Sequence, residues 1–184
     1  TNYKMNNRKV YISGEIVPEV DAKISIFDSA VLLGDTVTES TRTFNFKPFK
    51  LDEHLERLYK SFKLTRIDPQ MTIEEMKKIS LELLEINKDN YKANEDCWLV
   101  HNISRGHSIT GGNPALQVSK PTVMIYTQPM NLVLWAPFYT KGCHAVTPPT
   151  RMVPSQSLDA RIKNRSRLFY TLAEIEAKLV DPDA

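Results

Sequence analysis

The chain has 184 residues, 41% hydrophobic and 25% charged, with a formal net charge of +2. That is an ordinary globular balance with room for a sizeable core. It is too slightly basic for phosphate-backbone binding, and no dense Lys/Arg run with interleaved aromatics appears.

Cys97 and Cys143 are far apart, with no Cys-x-x-Cys or Cys/His cluster. This argues against a structural zinc site and fits a reducing, cytoplasmic setting. The polar N-terminus lacks the apolar core of a signal peptide. The longest apolar run, 132–139, is broken by Pro137 and too short to span a bilayer.

Residues 10–16 are β-rich, with Ser13-Gly14-Glu15 as a hairpin turn and Pro18 as the stop. Residues 23–27 alternate polar and apolar before Gly34-Asp35 breaks the chain. The threonine-rich run 37–44 reads as a strand, and 45–47 turn back toward Phe49. Leu51, Leu55, Leu58 and Phe62 mark a helix. Its acids Asp52 and Glu53 come first and Lys60 and Lys63 last, as the helix dipole favours. Asp68-Pro69 interrupts. Thr72-Ile73-Glu74-Glu75 is then a capping box for a second helix carried by Ile73, Met76, Ile79, Leu83 and Ile86.

Residues 96–103 read as a strand, 105–120 as a Gly/Ser/Asn/Pro-containing loop, and 122–127 as an apolar strand. Segments 132–139 and 145–147 are expected to be strands of a second domain, with Tyr126 and Trp135 in the core. Pro148-Pro149 and Pro154 keep the chain extended up to a last helix. A β-meander, two helices and further strands make the fold class α+β. The domains are expected at 1–128 and 141–184, with a linker over 129–140.

Lys163 stands just ahead of that last helix, where Leu168, Leu172, Ile175 and Leu179 recur at the spacing of one buried face. A lysine at such an edge can be partly desolvated, which lowers its pKa. A lysine so tuned can form a Schiff base with a carbonyl cofactor. A solvated surface group is the alternative, since the chain has 24 Lys plus Arg.

Arg57 offers planar two-point contacts suited to phosphate; a surface pair with Glu53, one turn back, is the alternative. His54 either supports Arg57 or packs. Thr38, Ser40 and Arg42 alternate onto one face of their strand. There Arg42 could meet a substrate carboxylate or a neighbouring acid. No nucleotide-binding, hydrolase or metalloprotease motif appears, no metal site is expected, and Gly111-Gly112 reads as loop flexibility.

Three motifs, in order, carry a resemblance. They are Ile24 to Glu39 with its Gly34-Asp35 break, Phe49 to Ser61 with Glu53-His54-Leu55-Glu56-Arg57, and 157–177 with Ile162-Lys163-Asn164. Together they resemble the fold-type IV pyridoxal-phosphate enzymes: the branched-chain and D-amino-acid aminotransferases, the (R)-selective amine transaminases and aminodeoxychorismate lyase. The resemblance implies a D-amino-acid-aminotransferase-like fold, with a small N-terminal α/β domain and the start of a larger, β-rich C-terminal domain. It implies an aminotransferase using pyridoxal 5'-phosphate, with Lys163 as Schiff-base lysine and general base. Its partners would be a small-molecule amino donor and a keto-acid acceptor, with no nucleic acid or membrane. Homodimerisation is implied in the same way. A lyase of the aminodeoxychorismate type and a non-catalytic, partner-binding fragment are the alternatives.

By the same resemblance, Arg57 would hold the cofactor phosphate. Thr38 stands where relatives often carry a pocket-lining Tyr or Phe, and Arg42 where branched-chain aminotransferases carry an arginine. Arg105-Gly106 resembles the family's Thr-Arg-Gly strand end and makes Arg105 a substrate-binding candidate. The continuation from His107 lacks the Arg-x-His carboxylate trap of D-amino-acid aminotransferases, which argues against a D-alanine-type enzyme. The family's glutamate for the pyridine nitrogen is expected after Ala184, so the 184 residues are expected to be part of a longer chain.

Overall fold

The computed structural model describes residues 7–92, 95–107 and 120–184. They form two compact units: Thr1–Met130 with Arg161–Arg165, and Asn131–Ala160 with Ser166–Ala184.

In the first unit, β1 (Lys9–Ile12) and β2 (Glu15–Pro18) form a hairpin. Its turn residues Ser13 and Gly14 have φ of 47° and 111°. Two positive φ values match the twist of a tight hairpin, and glycine adopts them without a Cβ clash. The short helix α1 (Ser29–Leu32) is opened by Asp28, whose carboxylate accepts from the Ala30 amide at 2.8 Å. β3 (Thr36–Phe44) turns through Asn45 and Phe46 into β4 (Lys47–Pro48). Phe46 has a left-handed backbone, φ 62°, which is unfavourable for a residue with a side chain. Its amide bond to Asp96 Oδ1 (3.1 Å) and its ring contact with Tyr91 (5.2 Å) offset that cost.

α2 (Leu51–Thr65) and α3 (Ile73–Asn87) follow. α2 stops where Arg66 turns left-handed and the Ile67 amide reaches back to the Phe62 carbonyl. Thr72 and Glu75 form the expected capping box at the start of α3. β5 (Cys97–Ser104) and β6 (Thr122–Pro129) complete an antiparallel sheet ordered β2-β1-β6-β5-β3-β4.

The two-residue strand period decides what faces the helices. Val37, Leu99, Ile103, Val123 and Ile125 turn to one side. Leu55, Leu58 and Phe62 of α2 and Met76, Leu83 and Leu84 of α3 cover them. Each such buried side chain contributes roughly 1.5–3 kcal/mol, so this one-sided layer is the unit's core. At the same parity sit two ionisable residues, Glu39 and His101, directly opposite each other across β3 and β5.

Residues 161–165 run antiparallel along the side of β3 that β5 leaves open. The Thr38 amide donates to the Lys163 carbonyl at 2.8 Å, the Arg165 amide donates to the Thr36 carbonyl at 3.0 Å, and Val37 lies opposite Asn164. Ile162 packs on the core. The lysine segment therefore counts with the N-terminal sheet, not with the rest of 141–184.

The second unit holds α4 (Leu132–Trp135), α5 (Phe138–Lys141) and α6 (Leu168–Val180). The strands expected at 132–139 and 145–147 are not there. α4 and α5 are helical turns closed by Ala136-to-Leu132 and Gly142-to-Phe138 backbone bonds, and 145–147 is irregular. Strand amides need a neighbouring strand, and the described residues of this unit offer none. The apolar stripe of α6 is not buried either. Leu168 is 70% and Leu179 82% exposed, and Trp135, expected in the core, is 45% exposed. A helical period creates an apolar face, but only a packed partner buries it. Among the described residues, no helix is long and apolar enough to cross a membrane.

Candidate functional site

The site is built around a buried charge. Glu39, in the middle of β3, is 0% exposed. Its Oε2 accepts from Arg57 Nε at 2.7 Å. Its Oε1 accepts from Arg57 Nη2 at 2.6 Å, His54 Nδ1 at 3.0 Å and the Ser40 amide at 2.9 Å. A carboxylate only accepts, so His54 carries a proton on Nδ1. Burial alone would push the Glu39 carboxyl up. The Arg57 guanidinium, the Ser40 amide and His54 outweigh burial and hold it below the usual carboxylate range. The same contact raises Arg57. The surface pair with Glu53 does not form; Glu53 pairs with Lys50 at 3.5 Å. The Arg57 side chain remains 52% exposed. Among the described residues its Nη1 donates to nothing.

Ser61 follows Arg57 by one turn, about 6 Å along α2. Its hydroxyl donates to the Arg57 carbonyl at 3.2 Å and accepts from the Lys163 amide at 3.3 Å. With the pairing to β3, this holds the half-buried Lys163 beside both Thr38 and the 57–61 turn of α2. Thr38 itself is buried, and its hydroxyl donates to the His101 carbonyl at 3.0 Å.

Two candidates sit elsewhere. Arg42 is four residues along β3 from Thr38, roughly 13 Å at strand rise. Its guanidinium lies 3.7 Å from the centre of the Phe44 ring, and its Nε donates to the Thr43 carbonyl at 3.3 Å. Arg105, expected to meet substrate, makes a clamp. It donates to Asp35 at 2.7 and 3.2 Å, to the Arg66 carbonyl at 2.9 Å and to the Thr65 carbonyl at 3.0 Å. With 14% of its side chain exposed, its fork is committed to tying the Gly34-Asp35 turn to the end of α2. The loop after His107 includes 108–119, which lie outside the described residues.

Sequence reasoning missed Glu39, Ser61 and His101 as site residues. His101 is fully buried. Ser80 Oγ donates to the Met76 carbonyl at 2.7 Å, so at 2.8 Å it accepts from His101 Nε2, which makes His101 a neutral Nε2–H tautomer. Burial pushes its pKa down to about 4. The legible signal for Glu39 was an acid at the parity of Val37, inside a strand that buries that face; such a charge requires a partner.

A lysine segment on the sheet edge is thus tied to α2 one turn from a half-exposed arginine. The model of the class IV amino-transferase family matches residues 36–184. The chain belongs to that family, the fold-type IV pyridoxal-phosphate enzymes. It is 35% identical over 175 residues to a putative branched-chain-amino-acid aminotransferase of Methanocaldococcus jannaschii, covering 95% of this chain and 57% of the relative. It is 32% identical over 120 residues to a D-alanine aminotransferase of Staphylococcus epidermidis, covering 65% of this chain and 41% of that one. The fold is similar to that of the Escherichia coli branched-chain amino acid aminotransferase. That match has a TM-score of 0.81 at 22% identity, over 95% of this chain and 57% of the other. The chain thus spans little more than half the length of these relatives, or less.

The residues present fit pyridoxal phosphate on two counts. Arg57 has an outward Nη1 edge beyond its Glu39 contacts, and Ser61 ties the Lys163 backbone to the same stretch of α2.

Proposed function

We propose that the protein is a pyridoxal-phosphate-dependent aminotransferase, moving an amino group between an amino acid and a keto acid. The observation that carries this reading is the Lys163 backbone, held by Thr38 and by Ser61, one turn from Arg57. Arg57 would hold the phosphate and Lys163 would attach the cofactor. When bound, the cofactor supplies an electron sink for bonds at the substrate α-carbon. The Lys163 amine, once freed, would carry the α-proton as general base. Thr38 would shape the pocket with its methyl group, its hydroxyl proton being directed to the backbone. Arg42 remains a candidate only for the far end of a substrate. Arg105, held by Asp35, would support the turn at the edge of the pocket.

A branched-chain amino donor is favoured by the name of the Methanocaldococcus jannaschii relative. A cytoplasmic homodimer is part of the same proposal. The test is amino transfer from a branched-chain amino acid, with and without a keto-acid acceptor. Acceptor-dependent transfer is expected; turnover that ignores the acceptor would make the chain a lyase.

A further inference from the structure

Arg57 has two usable edges, and among the described residues only one is committed. Glu39 takes Nε and Nη2, and is itself fixed by the Ser40 amide and His54 Nδ1. A free arginine samples many rotamers and loses that freedom on binding. One gripped at two points by a buried acid has already lost it. We propose that Glu39 is a positioning residue for phosphate recognition: it holds the Nε/Nη2 edge of Arg57 and so turns the Nη1 edge toward a phosphate monoester. The inference rests on the reading of Arg57 as the phosphate grip and deepens it.

The arrangement has a physical counter-argument. Glu39 and Arg57 together are neutral, so a purely coulombic site would bind phosphate better without Glu39. The two views predict opposite signs. Directed donors predict loss when the carboxylate goes; net charge predicts gain.

The experiment is a pair of binding titrations on the purified chain, with pyridoxal phosphate and with pyridoxal, which lacks the phosphate. The ratio of the two affinities reads phosphate discrimination, which a merely structural ion pair would not move. Arg57→Ala should abolish most of it. Glu39→Gln should lower it by about tenfold, because one amide oxygen replaces the two carboxylate oxygens that Nε and Nη2 use, and the charge is lost. A ratio unchanged or raised in Glu39→Gln, with Arg57→Ala deficient, overturns the positioning role and leaves the phosphate grip standing. A ratio intact in Arg57→Ala overturns the grip itself. If circular dichroism shows Glu39→Gln unfolded, Arg57→Lys decides. It keeps the charge but cannot be held at two points and still present an edge. Lost discrimination supports positioning, and retained discrimination refutes it.

Discussion

Arg57→Ala should destabilise the fold mainly through the residue left behind. Arg57 is half exposed, so water replaces much of what its own side chain loses. Glu39 is 0% exposed with Arg57 in place, so water replaces less of what it loses. It keeps only the Ser40 amide and His54. Removing one partner of a buried pair costs roughly 3–5 kcal/mol when the other stays charged. Glu39 has an escape, which is to take up a proton. From an ordinary carboxyl value of 4.5, protonation at pH 7 costs about 3.4 kcal/mol, at 1.36 kcal/mol per unit over 2.5 units. Burial favours the neutral form and lowers that cost, while the two remaining donors favour the charged form and stabilise it where it stands. We expect a loss of about 2–3 kcal/mol, read as a shift in urea midpoint at unchanged m. Adding Glu39→Gln should recover part of it, because no charge is then stranded. The loss should also shrink as the pH falls from 7 toward 5, since proton uptake becomes cheaper. An Arg57→Ala variant as stable as the parent would refute the reasoning. So would a double variant that loses the sum of two single losses.

Two further outcomes follow from the same geometry. His101 is held down to about 4 in the fold and titrates near 6.5 when unfolded. The unfolded chain therefore binds the proton first, and the stability His101 contributes is present above pH 6.5 and lost on descending to 4. The total is about 3 kcal/mol, to be seen as a falling melting temperature that a His101→Gln variant flattens. Arg105→Ala should lower stability by about 2 kcal/mol, since it strips the charge-assisted bonds from Asp35 and the end of α2. Its substrate KM should change less than that of Thr38 variants; a selective rise in KM would return Arg105 to the pocket.

Local chemistry made much of the first unit readable. The Thr72 capping box, the Ser13-Gly14 turn and the Leu51-Leu55-Leu58-Phe62 spacing each depend on neighbours a few residues away, and each forms as expected. Lys163 and Arg57 stand out through motifs. Their relation was not legible, because Ser61 and Lys163 are 102 residues apart in sequence. Glu39 lies within a motif but on the face of β3 opposite Thr38 and Arg42, and the sequence does not show what covers that face. Only the register with α2 reveals where that acid's charge is answered. The surroundings of Arg105 were not legible for a related reason: only the fold brings Asp35 and the Thr65 and Arg66 carbonyls to an arginine at a strand end. The second unit was misread because apolar runs such as 132–139 state a preference for burial, not a geometry, and the neighbour that would make them strands is not among the described residues.

The central claim is that Lys163 is the cofactor lysine. Pyridoxal phosphate added to the chain, followed by borohydride reduction and peptide mapping, tests it directly. The account predicts one pyridoxyl-modified peptide, carrying the label on Lys163 and absent in Lys163→Ala. A label on another lysine, or the same labelling after Lys163 is replaced, would contradict it.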